Sequence, residues 1–155
     1  RDVEISLRPG FRWGTPLLPG QPITIDDLYT QTSMSYPNVY RTEMTGKQLK
    51  DILEDVCDNL FNVDPFYQQG GDMVRVGGMN YSCSPKNGMG RRIGDMTLTR
   101  TGSALDPSRS YRVGGWASIN ENVEGPAIYD LMESYINRKS VIDLPEQQAV
   151  RVIGM

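Results

Sequence analysis

The stretch Thr45-Gly-Lys-Gln-Leu-Lys-Asp-Ile-Leu-Glu-Asp-Val-Cys-Asp-Asn-Leu-Phe61 reads as a capped amphipathic helix. Thr45 and Gln48 have the spacing of a capping box, in which the threonine oxygen accepts a backbone N–H and the glutamine reaches back to the cap. Met44 and Leu49 stand where a hydrophobic staple places its two side chains. Leu49, Ile52, Leu53, Val56, Cys57, Leu60 and Phe61 then follow the i, i+3, i+4 spacing of one helical face. Burying such a face contributes about 1.5–3 kcal/mol per large side chain before entropy is counted. Asn62 and Pro65 lie just past its end, so this helix is the expected centre of the core.

Working outward, a second helix is predicted over 126–138, with Pro126 in its first turn and Ile128, Leu131, Met132, Tyr135 and Ile136 as its apolar stripe. A short helix follows Thr24, over 25–29. Strands are predicted over 39–44, 73–83, 95–100, 111–118 and 150–153, each bounded by Gly, Pro, Asn or Asp. Segments 85–90 and 106–108 read as turns. No repeat, low-complexity tract or linker interrupts the pattern. Strands and helices without regular βαβ alternation give a single α+β domain, a mixed sheet packed with two main helices.

A chain of 155 residues is long enough for one domain with a real core. The net charge of −3 argues against broad electrostatic binding to nucleic acid or an anionic membrane. No apolar run approaches membrane-spanning length. The chain contains no histidine, which excludes Ser-His-Asp and Cys-His catalysis within it and removes the commonest transition-metal ligand. Cys57 and Cys83 fit no metal-ligand spacing; they read as buried free thiols, with a disulfide between them as the alternative. The cations are skewed to 12 Arg against 4 Lys. The rigid guanidinium fork suits planar oxyanions, although a compositional bias produces the same skew.

Two Gly-Gly pairs, at 70–71 and 77–78, flank a short run containing Asp72 and Arg75. Glycine pairs weaken a strand, so something must come close to this backbone: a tight corner of the fold or a ligand. Three further places are candidates: 9–14 with Arg12 and Trp13, 114–122 with Trp116, Asn120 and Asn122, and 32–37. Each has a plain structural reading beside the functional one. Trp13 and Trp116 also read as core aromatics, Arg75 as an exposed strand residue between Val74 and Val76, and Asp72 as the cap of an Asx turn.

Taken in order, four segments resemble the C-terminal domain of the 5′-nucleotidase superfamily: Gly10-Phe-Arg-Trp-Gly14, Met44-Thr-Gly-Lys-Gln-Leu-Lys50, Gln69-Gly-Gly-Asp-Met-Val-Arg-Val-Gly-Gly78 and Tyr111-Arg-Val-Gly-Gly-Trp-Ala-Ser-Ile-Asn-Glu-Asn122. The helix segment Leu53–Asn62 and the glycine-rich loop are most similar to the SoxB thiosulfohydrolase branch of bacterial sulfur oxidation. The resemblance implies a periplasmic hydrolase in two parts. An N-terminal metallophosphatase domain, expected outside this chain, carries a dinuclear manganese centre, so neither metal ligands nor catalytic residues are assigned here. This domain supplies the substrate side, with Arg12, Trp13, Gln69, Gly70, Gly71, Asp72, Arg75, Trp116, Asn120 and Asn122 as the implied binding residues. They are expected to converge on one face. The implied partner is the arm of a SoxYZ-like sulfur carrier, bearing a cysteine S-thiosulfonate whose hydrolysis releases sulfate.

Two departures separate the chain from nucleotidases, which sandwich a base between two aromatic rings. Trp116 matches one ring, but near 73–76 there is no aromatic residue, and a nucleotidase Gly-Gly-Asp turn is replaced by Asn120-Glu-Asn-Val-Glu124. A nucleotidase substrate domain remains the alternative enzyme, and a non-catalytic docking domain the alternative of a different kind. The opening residue is Arg1, and we expect the chain to be part of a longer protein.

Overall fold

A computed structural model describes residues 2–9, 16–32, 37–69, 71–116, 123–139, 141–144 and 148–154. The chain separates into two compact units: residues 1–10, 41–114 and 147–155 form the first, and 11–40 with 115–146 the second.

The first unit is built around the capped helix, α2 (Gly46–Phe61), which begins where the capping box places it. Thr45 Oγ1 accepts from Gln48 N at 3.2 Å and Gln48 Oε1 accepts from Thr45 N at 2.8 Å. Two further N–H groups of the first turn donate to carbonyls of the 106–109 turn, Gly46 to Arg109 at 3.1 Å and Lys47 to Pro107 at 2.9 Å. A side chain at Gly46 would meet Asp106 O at 2.3 Å, so only glycine lets the turn close over the helix end. Leu49, Leu53 and Cys57 are buried, Ile52, Val56 and Leu60 half-buried, and Phe61 is exposed. The buried stripe is therefore one residue shorter than its spacing predicts, because the helix leaves the core at its last turn.

Two sheets complete the list of strands. One has the order β2 (Tyr40–Thr45), β6 (Ser110–Gly115), β1 (Ile5–Arg8), β3 (Arg75–Gly77); the other runs β5 (Ile93–Leu98), β4 (Met79–Cys83), β7 (Val150–Val152). The single strand expected over 73–83 is thus two, assigned to different sheets. The break is Gly78, at φ +80°, where a Cβ would lie 2.1 Å from Glu4 O. β4 pairs antiparallel with β5 and parallel with β7. The β4–β5 register shifts between Asn80 and Ser82, and Asp95, in the extra stretch of the facing strand, takes φ +47°, a left-handed conformation found in one type of bulge. Strand β1 lies outside the expected set, although Ile5 and Leu7 face inward and Ser6 and Arg8 outward with the period of two that marks a half-buried strand.

A buried polar clasp joins α2 to the segment before β5. Glu54, 3% exposed, accepts from the N–H groups of Gly90 (2.8 Å), Arg92 (3.3 Å) and Ile93 (2.8 Å), and from Lys50 Nζ (2.8 Å). Burial pushes its carboxyl pKa up, but these donors outweigh that and hold it below the ordinary value. Arg92, 4% exposed, ion-pairs with Asp58 and donates to Asn87 O (2.8 Å) and to Phe61 O (3.2 Å), a carbonyl of the last turn of α2.

The second unit holds α1 (Ile25–Thr32) and α3 (Ile128–Asn137), packed on each other with Tyr29 and Tyr129 edge-to-face at 5.2 Å. Thr24 and Asp27 cap α1 reciprocally, Asp27 N donating to Thr24 Oγ1 at 3.2 Å and Thr24 N to Asp27 Oδ2 at 2.8 Å. α3 starts at Ile128, two residues after Pro126, with its first N–H bonded to Pro37 O at 2.9 Å. Among the described residues, Leu28 is the one buried hydrophobic side chain of this unit.

Candidate functional site

The segment leaving α2 is shaped by short-range polar bonds. Asp64 Oδ1 accepts from Phe66 N at 3.0 Å and starts a 3₁₀ turn at Pro65–Tyr67; Gln68 Nε2 then donates to Asn62 O at 2.7 Å and Gln69 N to Asn59 O at 3.1 Å. The turn leaves Phe66 95% and Tyr67 66% exposed. Gly71 follows at φ +100°, with nothing within 4 Å of the position a Cβ would occupy. Among the described residues no donor reaches the Asp72 carboxylate, so the Asx-turn reading of Asp72 does not hold; the side chain is exposed.

Gly71 therefore differs from Gly77 and Gly78. At Gly77 a Cβ would sit 2.5 Å from Ser6 Oγ, and Gly78 faces the Glu4 carbonyl, so the second pair accommodates the chain's own strand β1 and not a ligand. Gly71 opens onto free space.

Arg75 opens the edge strand β3 and lies directly opposite Arg8 of β1. Opposed residues of an antiparallel pair share a face, and both arginines are exposed, on the side away from Leu7 and Val76. Like charges in this register cost stability. Among the described residues no carboxylate neutralises either one, whereas Arg92 pairs with Asp58, Arg109 with Glu4, Arg112 with Asp2 and Glu4, and Arg151 with Asp95. Arg41, Arg91, Arg100 and Arg138 likewise have no carboxylate partner among the described residues; what marks Arg8 and Arg75 is that they lie opposite each other and exposed on an edge-strand pair, with Arg75 four residues after Gly71. Such a pair can receive a sulfonate, phosphate or carboxylate. Arg8 escapes the sequence reading because its strand does; the alternation of residues 5–8 is the signal that could have found it.

Gln69, Gly71, Asp72 and Arg75 belong to the first unit and are all exposed. Trp116 directly follows β6, is half-buried and belongs to the second unit. Arg12, Trp13, Gly70, Asn120 and Asn122 lie outside the described residues. Of the expected cluster, the structure brings Gln69, Gly71, Asp72 and Arg75 into one loop-and-strand segment and adds Arg8 to it.

Two cavities of about 260 and 320 Å³ occur in the second unit, around Ile23. Glu133 borders the first and Asp27 the second, a poor setting for an anionic ligand. Among the described residues no three His, Cys, Asp or Glu side chains come together to hold a metal ion, so the residues present do not fit a dinuclear centre. The N-terminus of α2 is already taken by backbone carbonyls and offers no anion seat. No helix among the described residues is long and apolar enough to cross a membrane.

The chain belongs to the family described as 5′-nucleotidase, C-terminal domain, which matches residues 2–140. Its fold is similar over 99% of its length to the sulfate thiohydrolase SoxB of Thermus thermophilus, at 36% identity and a TM-score of 0.88. It is also similar to a 5′-nucleotidase precursor from Thermus thermophilus (17% identity, TM-score 0.73, 99% of this chain and 32% of that one). The NAD nucleotidase NadN of Haemophilus influenzae shares the fold over 88% of this chain and 23% of its own (21% identity, TM-score 0.60). The chain spans 29% of the SoxB chain it matches. No curated protein matches the sequence.

Proposed function

We propose that the chain is the substrate-binding domain of a periplasmic SoxB-like thiosulfohydrolase, which hydrolyses a cysteine S-thiosulfonate on a carrier-protein arm and releases sulfate. The observation that carries this reading is the likeness to SoxB at 36% identity along 99% of the chain, against 17% and 21% for the two nucleotidases. In this reading a dinuclear manganese centre sits on an N-terminal metallophosphatase domain outside the chain. The residues present here bind and orient. Arg8 and Arg75 offer guanidinium donors to the anionic sulfonate, and the bare turn at Gly71 leaves room for a slender arm. On the family resemblance, Arg12, Trp13, Trp116, Asn120 and Asn122 are further substrate contacts.

A second reading, a nucleotidase substrate domain, draws on one observation: Phe66 and Tyr67 expose aromatic faces a few residues before the loop, where a base can stack. The full-length protein carrying this chain separates the two. Incubated with a thiosulfonate-loaded carrier it releases sulfate and leaves nucleoside monophosphates intact, and Arg75→Ala lowers kcat/KM for the carrier about tenfold, the loss of one charge-assisted hydrogen bond. Phosphate release from the nucleotide with no sulfate from the carrier establishes the second reading instead. Carrier binding with neither activity establishes a docking domain.

A further inference from the structure

Cys57 and Cys83 are the two cysteines of the chain, and the function proposed above uses neither. Cys57 lies on the inward face of α2 and Cys83 ends β4; they are 0% and 3% exposed, with their Sγ atoms 3.4 Å apart. Among the described residues no third ligand turns them into a metal site. A disulfide bond length of about 2.0 Å is about 1.4 Å shorter than this approach of the two sulfurs. The 26-residue separation between them encloses the whole candidate loop, from the Phe66 turn through Gly71 and Asp72 to Arg75.

We propose that Cys57 and Cys83 are an oxidative cross-link site, whose disulfide clamps the base of the substrate-binding loop by tying α2 to β4. The bond forms by exchange with a disulfide oxidant. One thiolate attacks the oxidant's disulfide and expels a first thiol, leaving a mixed disulfide; the second thiolate attacks that sulfur and expels the other. Two protein thiols lose two protons and two electrons, and the oxidant leaves as two thiols.

The packing sets the order of events. Neither sulfur is reachable in the folded state, and burial, together with the hydrogen bond to Cys83, pushes the Cys57 thiol up to about 12, which leaves almost no attacking thiolate at neutral pH. The bond therefore closes while α2 is still undocked, and folding then seals it from reductant.

The test uses the full-length protein carrying this chain, expressed with export to an oxidising compartment, alkylated under denaturing conditions and digested. A peptide pair joining Cys57 to Cys83 is the expected main species; both cysteines recovered alkylated overturns the cross-link. A second measurement addresses the order of events and needs no variant. Reduced, folded protein is exposed to oxidised glutathione beside protein refolded from denaturant with it. Closure at least about a hundredfold faster in the refolding sample is expected. Equal rates overturn the claim that closure precedes burial.

Discussion

The two units of the chain use the same local devices to opposite ends. Each begins a helix with a reciprocal threonine cap, Thr45 with Gln48 in the first and Thr24 with Asp27 in the second. In the first unit the capped helix goes on to bury Leu49, Leu53 and Cys57 and to anchor the Glu54 and Arg92 clasp. In the second, α1 buries Leu28 and Thr32, and no described residue of α3 is buried. A cap starts a helix, but tertiary burial is what makes it stable. Among the described residues, the first unit thus buries a run of its capped helix, whereas the second buries one hydrophobic side chain, Leu28.

The strongest way to break that comparison is by cavity formation. Leu53→Ala, at a site 1% exposed, should cost about 2–5 kcal/mol, whereas Ile136→Ala on half-buried α3 should cost less than about 1.5 kcal/mol. Urea unfolding midpoints check both, and equal losses would show that the units share the load.

Next comes the clasp. Glu54→Gln leaves buried N–H groups with a weaker acceptor and should cost about 1–3 kcal/mol. The Glu54 carboxyl is held below its ordinary 4.5, so its contribution is complete above that pH and is lost as pH falls through the lower folded value. Unfolding midpoints should therefore be level above about pH 5 and fall below it, with a shallower fall in Glu54→Gln. An unchanged acid limb in the variant would remove Glu54 from the account.

A substitution in the second unit should separate function from stability. On the proposed function, Arg12→Ala in the full-length protein should lower kcat/KM for the carrier about ten- to a hundredfold with little change in the unfolding midpoint. A midpoint that moves as much as for Leu53→Ala would assign Arg12 to the scaffold. The smallest effects come from the caps. Thr45→Ala should cost about 1 kcal/mol globally, and Thr24→Ala should mainly speed amide exchange in α1. Global destabilisation by Thr24→Ala as large as by Thr45→Ala would mean the second unit is not the looser one.

What the sequence by itself determined is whatever depends on neighbours a few residues apart. The capping box, the period of α2, the turn at 106–108 and the start of α1 were all legible, because their interactions close within one helical turn. The family was legible too, through four segments in order. The glycine-rich segment stands out in the sequence, but its geometry was only half readable. The sequence shows two glycine pairs of equal appearance; the pairing of β1 with β3 makes Gly77 and Gly78 part of a corner and leaves Gly71 open. Arg75 was a strand residue without an assigned neighbour until the register put Arg8 opposite it. The partners of Glu54 and the meeting of Cys57 with Cys83 likewise join positions 26 to 39 residues apart. Such contacts are set by which strands pair and how a helix docks, a choice made by the burial of the whole apolar surface. No local window of sequence contains that sum; the tertiary structure decides it.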